Sequence, residues 1–168
     1  MAGDERIREV YEVSYQHLVV QMLALCGNQA DAEEAVQEAF VQALRRRREF
    51  AEVLNPEGWL RTVALNRLRN TWRHAAVVRR FVARVPGPAA TVELGPDHVV
   101  LVEALAHLSE DERLVVVLHH LADRRIDEIA EEVGVPVGTV KSRLSRGRAH
   151  LAQLMTEPAT TEEVERHA

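Results

Sequence analysis

Cysteine is almost missing from this chain: Cys26 is the only one in 168 residues, which excludes an internal disulfide and a zinc site built on paired cysteines. Within the apolar run LALC, Cys26 is expected to be a small core residue. Aromatic residues make up only 4% of the chain. No apolar run approaches the ~20 residues that a membrane-spanning helix requires, and the start, MAGDERIREV, lacks the hydrophobic stretch of a signal peptide. These absences predict a soluble cytoplasmic protein without membrane insertion. What the chain does have is Ala, Leu, Val, Glu and Arg in abundance, with 46% hydrophobic residues. That composition is too apolar for a disordered chain and favours packed helices over sheets.

Its formal net charge of -5, from 21 cationic and 26 acidic side chains, argues at first against a nucleic-acid partner. The distribution reverses that argument. Residues 61–90 carry seven arginines and no acid, and from 137 to 153 the cations, Lys141 among them, again stand alone. Acid gathers instead near the start, in the segment 127–132, and in the last dozen residues.

Apolar spacing predicts an all-α chain of two small helical domains joined by a flexible linker. The expected bounds are 1–85, a Pro- and Gly-rich linker at 86–97, a second domain at 98–155, and a polar, acidic, disordered tail at 156–168. In the first domain a helix is expected over 7–26, stopped by Gly27 and Asn28. A second should open at Asp31, whose partner three residues on is Glu34, and run to about Arg47 with Ala35, Val36, Ala39 and Phe40 inward. Residues 49–58 read as a loop, and a third long helix should run from about Trp59 to Ala83. Its surface is expected to offer Arg61, Asn66, Arg69, Asn70 and Arg73, a mixture of guanidinium groups and amides beside two tryptophans that suits an opened nucleic-acid strand. Core packing is the expected role for Trp72, and the balance is even for Trp59.

In the second domain one helix is expected over 98–108, and Ser109 should cap the next, with Glu112 three residues on. Residues 126–151, IDEIAEEVGVPVGTVKSRLSRGRAHL, then read as two short helices joined by a tight turn. Ile126, Ile129, Ala130 and Val133 form one apolar stripe, with Asp127, Glu128, Glu131 and Glu132 facing away. Gly134 suits a left-handed cap and Pro136 the start of a new helix. Val140, Leu144, Gly147 and Leu151 should be buried on the second helix. Its other face, Lys141, Ser142, Arg143, Ser145, Arg146 and Arg148, carries no carboxylate, as in a helix-turn-helix that sets its second helix in a major groove.

These stretches together resemble an extracytoplasmic-function sigma factor, the small two-domain class of the sigma-70 family. The resemblance covers nearly everything from Tyr11 to Leu154. It is carried by DAEEAVQEAFVQAL and NPEGWLRTVALNRLRNTW in the first half, and by LSEDERLVVVLHHL and EIAEEVGVPVGTVKSRLSRGRAHL in the second. It implies a protein that binds core RNA polymerase at the β′ clamp and β flap and directs promoter-specific initiation, with no catalytic residues, cofactor or metal of its own. Glu34, Gln37, Glu38 and Phe40 fall where the family docks on the clamp. Trp59, Arg61, Asn66, Arg69 and Arg73 fall on the helix that reads and melts the -10 element, Asn66 where relatives hold a flipped base. Lys141, Ser142, Arg143, Ser145, Arg146 and Arg148 fall where the recognition helix meets the -35 element. An anti-sigma partner is a further expectation. The chain departs from the family at Asp123, Arg124, Arg125 and Ile126, where the family has a Gly, a large apolar residue and a capping Ser.

Two other readings compete. An ordinary helix-turn-helix regulator accounts for 126–151 but leaves the acidic helix and the Trp/Asn/Arg helix without a purpose. A carboxylate-bridged metal enzyme would need paired Glu-x-x-His motifs from separate helices; Glu103 and His107 alone do not make one.

Overall fold

The computed structural model describes residues 2–79 and 96–156. Most of the expected linker and the tail beyond Thr156 lie outside the described residues. Among those described the chain is helical throughout: α1 (Ala2–Cys26), α2 (Gln29–Arg45), α3 (Arg47–Ala51), α4 (Pro56–Arg79), α5 (Pro96–Ala106), α6 (Glu110–His120), α7 (Ile126–Val133) and α8 (Val137–Thr156).

Helix α1 is longer than expected at its start, and it ends where Gly27 takes a left-handed φ of 69°. The cap of α2 is Asn28 and not Asp31. The Asn28 carboxamide oxygen accepts from the Asp31 N–H at 3.0 Å, and Glu34 turns away to Arg67. Apolar spacing predicted the inward face of α2 correctly: Ala32, Ala35, Val36, Ala39, Phe40 and Ala43 are all buried. The expected loop at 49–58 narrows to residues 52–55, between the short helix α3 and the first turn of α4. Five residues are too few to show a period, and Phe50, fully buried, is what fixes that helix to the core.

In the second half, Ser109 caps α6 as expected, its hydroxyl accepting from the Glu112 N–H at 3.3 Å. Helix α7 opens after Asp123, whose φ is 50°, with the Glu128 carboxylate accepting from the Arg125 N–H at 2.9 Å. That is how the departure from the family pattern is accommodated: the acid three residues inside the helix caps an end that has no capping Ser. Gly134, at φ 72°, closes α7, and α8 packs Val140, Leu144 and Gly147 against the body. Gly147 is required by distance, since a Cβ there would stand 2.7 Å from Val116 Cγ2 on α6. Overpacking costs about 1–3 kcal/mol, against ~1 kcal/mol gained by Ala over Gly inside a helix. Gly147→Ala should therefore lower the melting temperature, and Val116→Ala should recover the loss in a double-mutant cycle read by thermal unfolding.

The two halves pack on each other. One buried core runs through both, with Leu18, Met22 and Leu25 of α1, Leu105 of α5, and Leu114 and Leu118 of α6. Arg113 of α6 closes the seam by donating to Leu25 O at 2.9 Å and to the carbonyls of Leu105, Ala106 and Leu108. A guanidinium that serves the last turns of two helices is well placed, because those carbonyls have no intrahelical donors.

Candidate nucleic-acid and polymerase interface

The recognition helix α8 divides its two faces as the spacing predicted. Lys141, Ser142, Ser145, Arg146 and Arg148 are exposed on one side, and Val140, Leu144 and Gly147 are buried on the other. The cations are not equally free. Arg143 is half-buried and donates to Asp111 Oδ2 at 2.5 Å, which fixes it to the start of α6. Arg146 Nε lies 3.7 Å from Glu112 Oε1, and Arg148 Nε donates to His120 Nε2 at 3.2 Å. Lys141, Ser142 and Ser145 therefore form the open centre of the face, with the arginines held around it by α6.

Glu112 is the hub of that arrangement. Its burial pushes the carboxyl up, but His150, 3.0 Å from Oε2, and the Ser109 cap outweigh that and hold it below its ordinary 4.5. Burial first, then the Arg148 cation and His119, push His120 below its ordinary 6.5 and keep it an acceptor for Arg148. Both folded values lie below the unfolded ones, so the unfolded chain binds more protons and stability rises with pH. The contribution from His120 is complete above 6.5 and is lost as pH falls through its lowered value. That from Glu112 is complete above 4.5 and is lost further into acid. Chemical denaturation from pH 8 down to 3 should show this fall, and Glu112→Gln should remove the most acid part of it.

Helix α4 does not present the surface expected of it. Asn66 and Arg73 are exposed, and Arg69 is half-buried beside Trp72, Glu110 and Arg113. Arg61 is only 2% exposed, against the expectation that it faces outward. Its Nε meets Glu132 Oε1 on α7 at 3.3 Å and its Nη1 lies 3.7 Å from Glu57 Oε1 one turn back. Trp59 packs against the core, its ring edge-on to Phe50 at 5.3 Å, and also borders the groove between α4 and α7. Trp72 packs against the core. Arg67 is exposed and donates to Glu34 Oε1 at 2.7 Å.

On α2, Glu34 and Gln37 are exposed and Glu38 is half-exposed, where it accepts from Gln42 at 2.8 Å. Phe40 is buried beneath Tyr11 and Tyr15, with ring centroids at 5.0 and 6.2 Å. It cannot itself touch a partner; it supports the exposed Tyr11 that can. The sequence reading missed Glu132, taken as solvated, and Arg113, whose carbonyl partners no local pattern announces.

Comparison with known proteins agrees with this geometry. The family model for sigma-70 region 2 matches residues 10–83, and that for sigma-70 region 4 matches 98–151. The chain is 30% identical to the ECF RNA polymerase sigma factor SigL of Mycobacterium tuberculosis, over 82% of each chain. It is 31% identical to SigE of Mycolicibacterium smegmatis over 92% of its own length, spanning 62% of that relative. Among solved structures it resembles Bartonella quintana RpoE, crystallised with the anti-sigma factor NepR, with a TM-score of 0.72 at 24% identity, covering 90% of this chain and 97% of that one. It likewise resembles CnrH in complex with the cytosolic domain of CnrY, with a TM-score of 0.65 at 21% identity and 92% of each chain covered. Among the described residues no helix is long and apolar enough to cross a membrane. With both family regions in order and relatives alike along most of its length, the chain belongs to the sigma-70 family, as an ECF-type RNA polymerase sigma factor, the class of non-catalytic protein that makes transcription initiation promoter-specific.

Proposed function

We propose that the two halves divide the work of initiation, residues 1–85 docking on polymerase and opening the -10 element, and 98–155 reading the -35 element. The observation that carries this is the face of α8, where Lys141, Ser142 and Ser145 lie open and, among the described residues, uncovered by any acidic side chain. A lysine and two hydroxyls can meet base edges and phosphates in a major groove, and a good bidentate base contact is worth about 1–3 kcal/mol of discrimination. Arg146 and Arg148 flank them, and Arg143 orients the helix through Asp111. In the first half, Glu34, Gln37 and Glu38 form the docking surface for the β′ clamp, while the second half meets the β flap. Asn66 holds a base of the melted strand, Trp59 offers a stacking face, and Arg69 and Arg73 hold its phosphates. Extruding a base costs a few kcal/mol, offset by stacking and hydrogen bonds in the pocket.

No bond is made or broken in this account, and the protein acts in the cytoplasm on polymerase and promoter DNA. An anti-sigma protein is proposed as its regulator, supported by the two solved relatives, each seen with such a partner or a partner's cytosolic domain. Co-elution with purified core polymerase tests the reading. A stable complex supports it, whereas duplex binding without polymerase binding favours a plain helix-turn-helix regulator.

A further inference from the structure

We propose that in the free protein the acidic face of α7 is an interaction surface for α4 of the same chain, and that this docking covers part of the strand-opening site. Three of the five side chains assigned to that site face the second half of the chain. Arg61 is buried against Glu132, at 3.3 Å. Trp59 borders a groove whose opposite wall is Glu128, Glu131 and Glu132, with Arg124 beside them. Arg69 lines a cavity with Glu110 and Arg113 of α6. Asn66 and Arg73 follow Trp59 at intervals of seven residues along α4 and remain exposed, beyond the groove.

The contact is a connected set of polar groups and not a chance approach of two surfaces. Glu57 accepts from Ser14 Oγ at 3.3 Å and stands 3.2 Å from His17 Nδ1. His17 Nε2 in turn lies 2.8 Å from Leu121 O, at the end of α6. Glu132 is shared between Arg61 and Arg124, whose Nε is 3.7 Å away, and its side chain is only 13% exposed. A carboxylate withdrawn from water this far is retained because guanidinium groups compensate it; without them its burial is unfavourable.

A DNA strand lying along α4 would bring phosphates to where three glutamates now stand. Acid and phosphate repel at that distance, and the guanidinium that would hold the phosphate is already neutralised. Strand and α7 therefore compete for one surface, while the recognition face of α8 stays open. The free protein can meet duplex DNA through α8 but offers only part of α4 to a melted strand until the halves separate.

This inference rests on the assignment of α4 as the strand-opening helix, and its test reads docking and DNA binding separately. Wild-type protein, Glu132→Gln, and the control Glu103→Gln, which removes the same charge from an exposed position on α5 outside the groove, are compared by small-angle scattering and by binding of a fluorescein-labelled single-stranded DNA 20-mer. Circular dichroism verifies that helix content is unchanged. Wild type and control should be compact, near the ~15 Å radius of gyration of a folded chain of 168 residues. Glu132→Gln should be several ångströms larger and should bind the strand at least about fivefold tighter. A wild type already as extended as Glu132→Gln, a variant that stays compact, or one that opens without binding the strand more tightly would each overturn the proposal. Failure of wild type, variant and control alike to bind the strand counts against the strand-opening assignment of α4, and leaves the scattering result on docking standing.

Discussion

Phe50→Ala should lower the free energy of unfolding by about 3–5 kcal/mol, the usual loss when a buried aromatic ring is truncated and its cavity cannot collapse. The ring is fully buried and stands edge-on to Trp59, with an interplanar angle of 72°. Helix α3 has five residues, too short to persist without its anchor. The effect should appear in urea unfolding as a lower midpoint with an unchanged slope, since the surface exposed on unfolding is nearly the same. It should also spread to function. Trp59 loses the ring that fixes its orientation, so binding of a melted strand should weaken even where the variant remains folded. A midpoint shifted by less than ~1 kcal/mol would mean that α3 is not part of the cooperative core.

Asn66→Ala should cut the yield of open promoter complexes by roughly 5- to 150-fold, the equivalent of about 1–3 kcal/mol for a lost amide contact to a base. Core-polymerase binding should be unchanged. The side chain is exposed on α4 and does not belong to the buried core, so removing it takes nothing from stability. Permanganate footprinting of the melted region, beside a polymerase co-elution assay, separates the two effects. Loss of polymerase binding would remove Asn66 from the strand-reading role and place it in docking.

The two variants differ in how far the sequence announced them. Asn66 could be found because long helices advertise themselves: α4 runs for 24 residues, and its apolar positions leave a polar face to be read directly. For the same reason the buried stripe of α2, that of α8 except for the half-buried Leu151, and the turn at Gly134 were legible. Phe50 was not. Its helix is shorter than two turns, lies between RRRR and a Pro, and gets its stability from α1 and Trp59, so only tertiary packing decides its structure.

Charge was the second blind spot. Helical spacing puts Glu132 with Asp127, Glu128 and Glu131 on an outward face, which is correct for the isolated hairpin. It becomes half-true once α7 meets α4, because its partner Arg61 is 71 positions away and on the other side of the linker. Arg61 was misplaced by the same logic in reverse. A position that is outward within the first half is inward when the second half packs upon it. The capping of α2 by Asn28 in place of Asp31 is a smaller case, in which two adequate caps three residues apart compete and neither is marked by pattern alone.

Run-off transcription with purified core polymerase, with and without this protein, on a library of the host's upstream regions tests the central claim most directly. The account predicts transcripts only when the protein is present, starting from a few promoters that share -35 and -10 elements, and lost when Lys141 and Arg146 are both changed to alanine. Transcripts that are unchanged by adding the protein, under conditions where it binds duplex DNA, would contradict it.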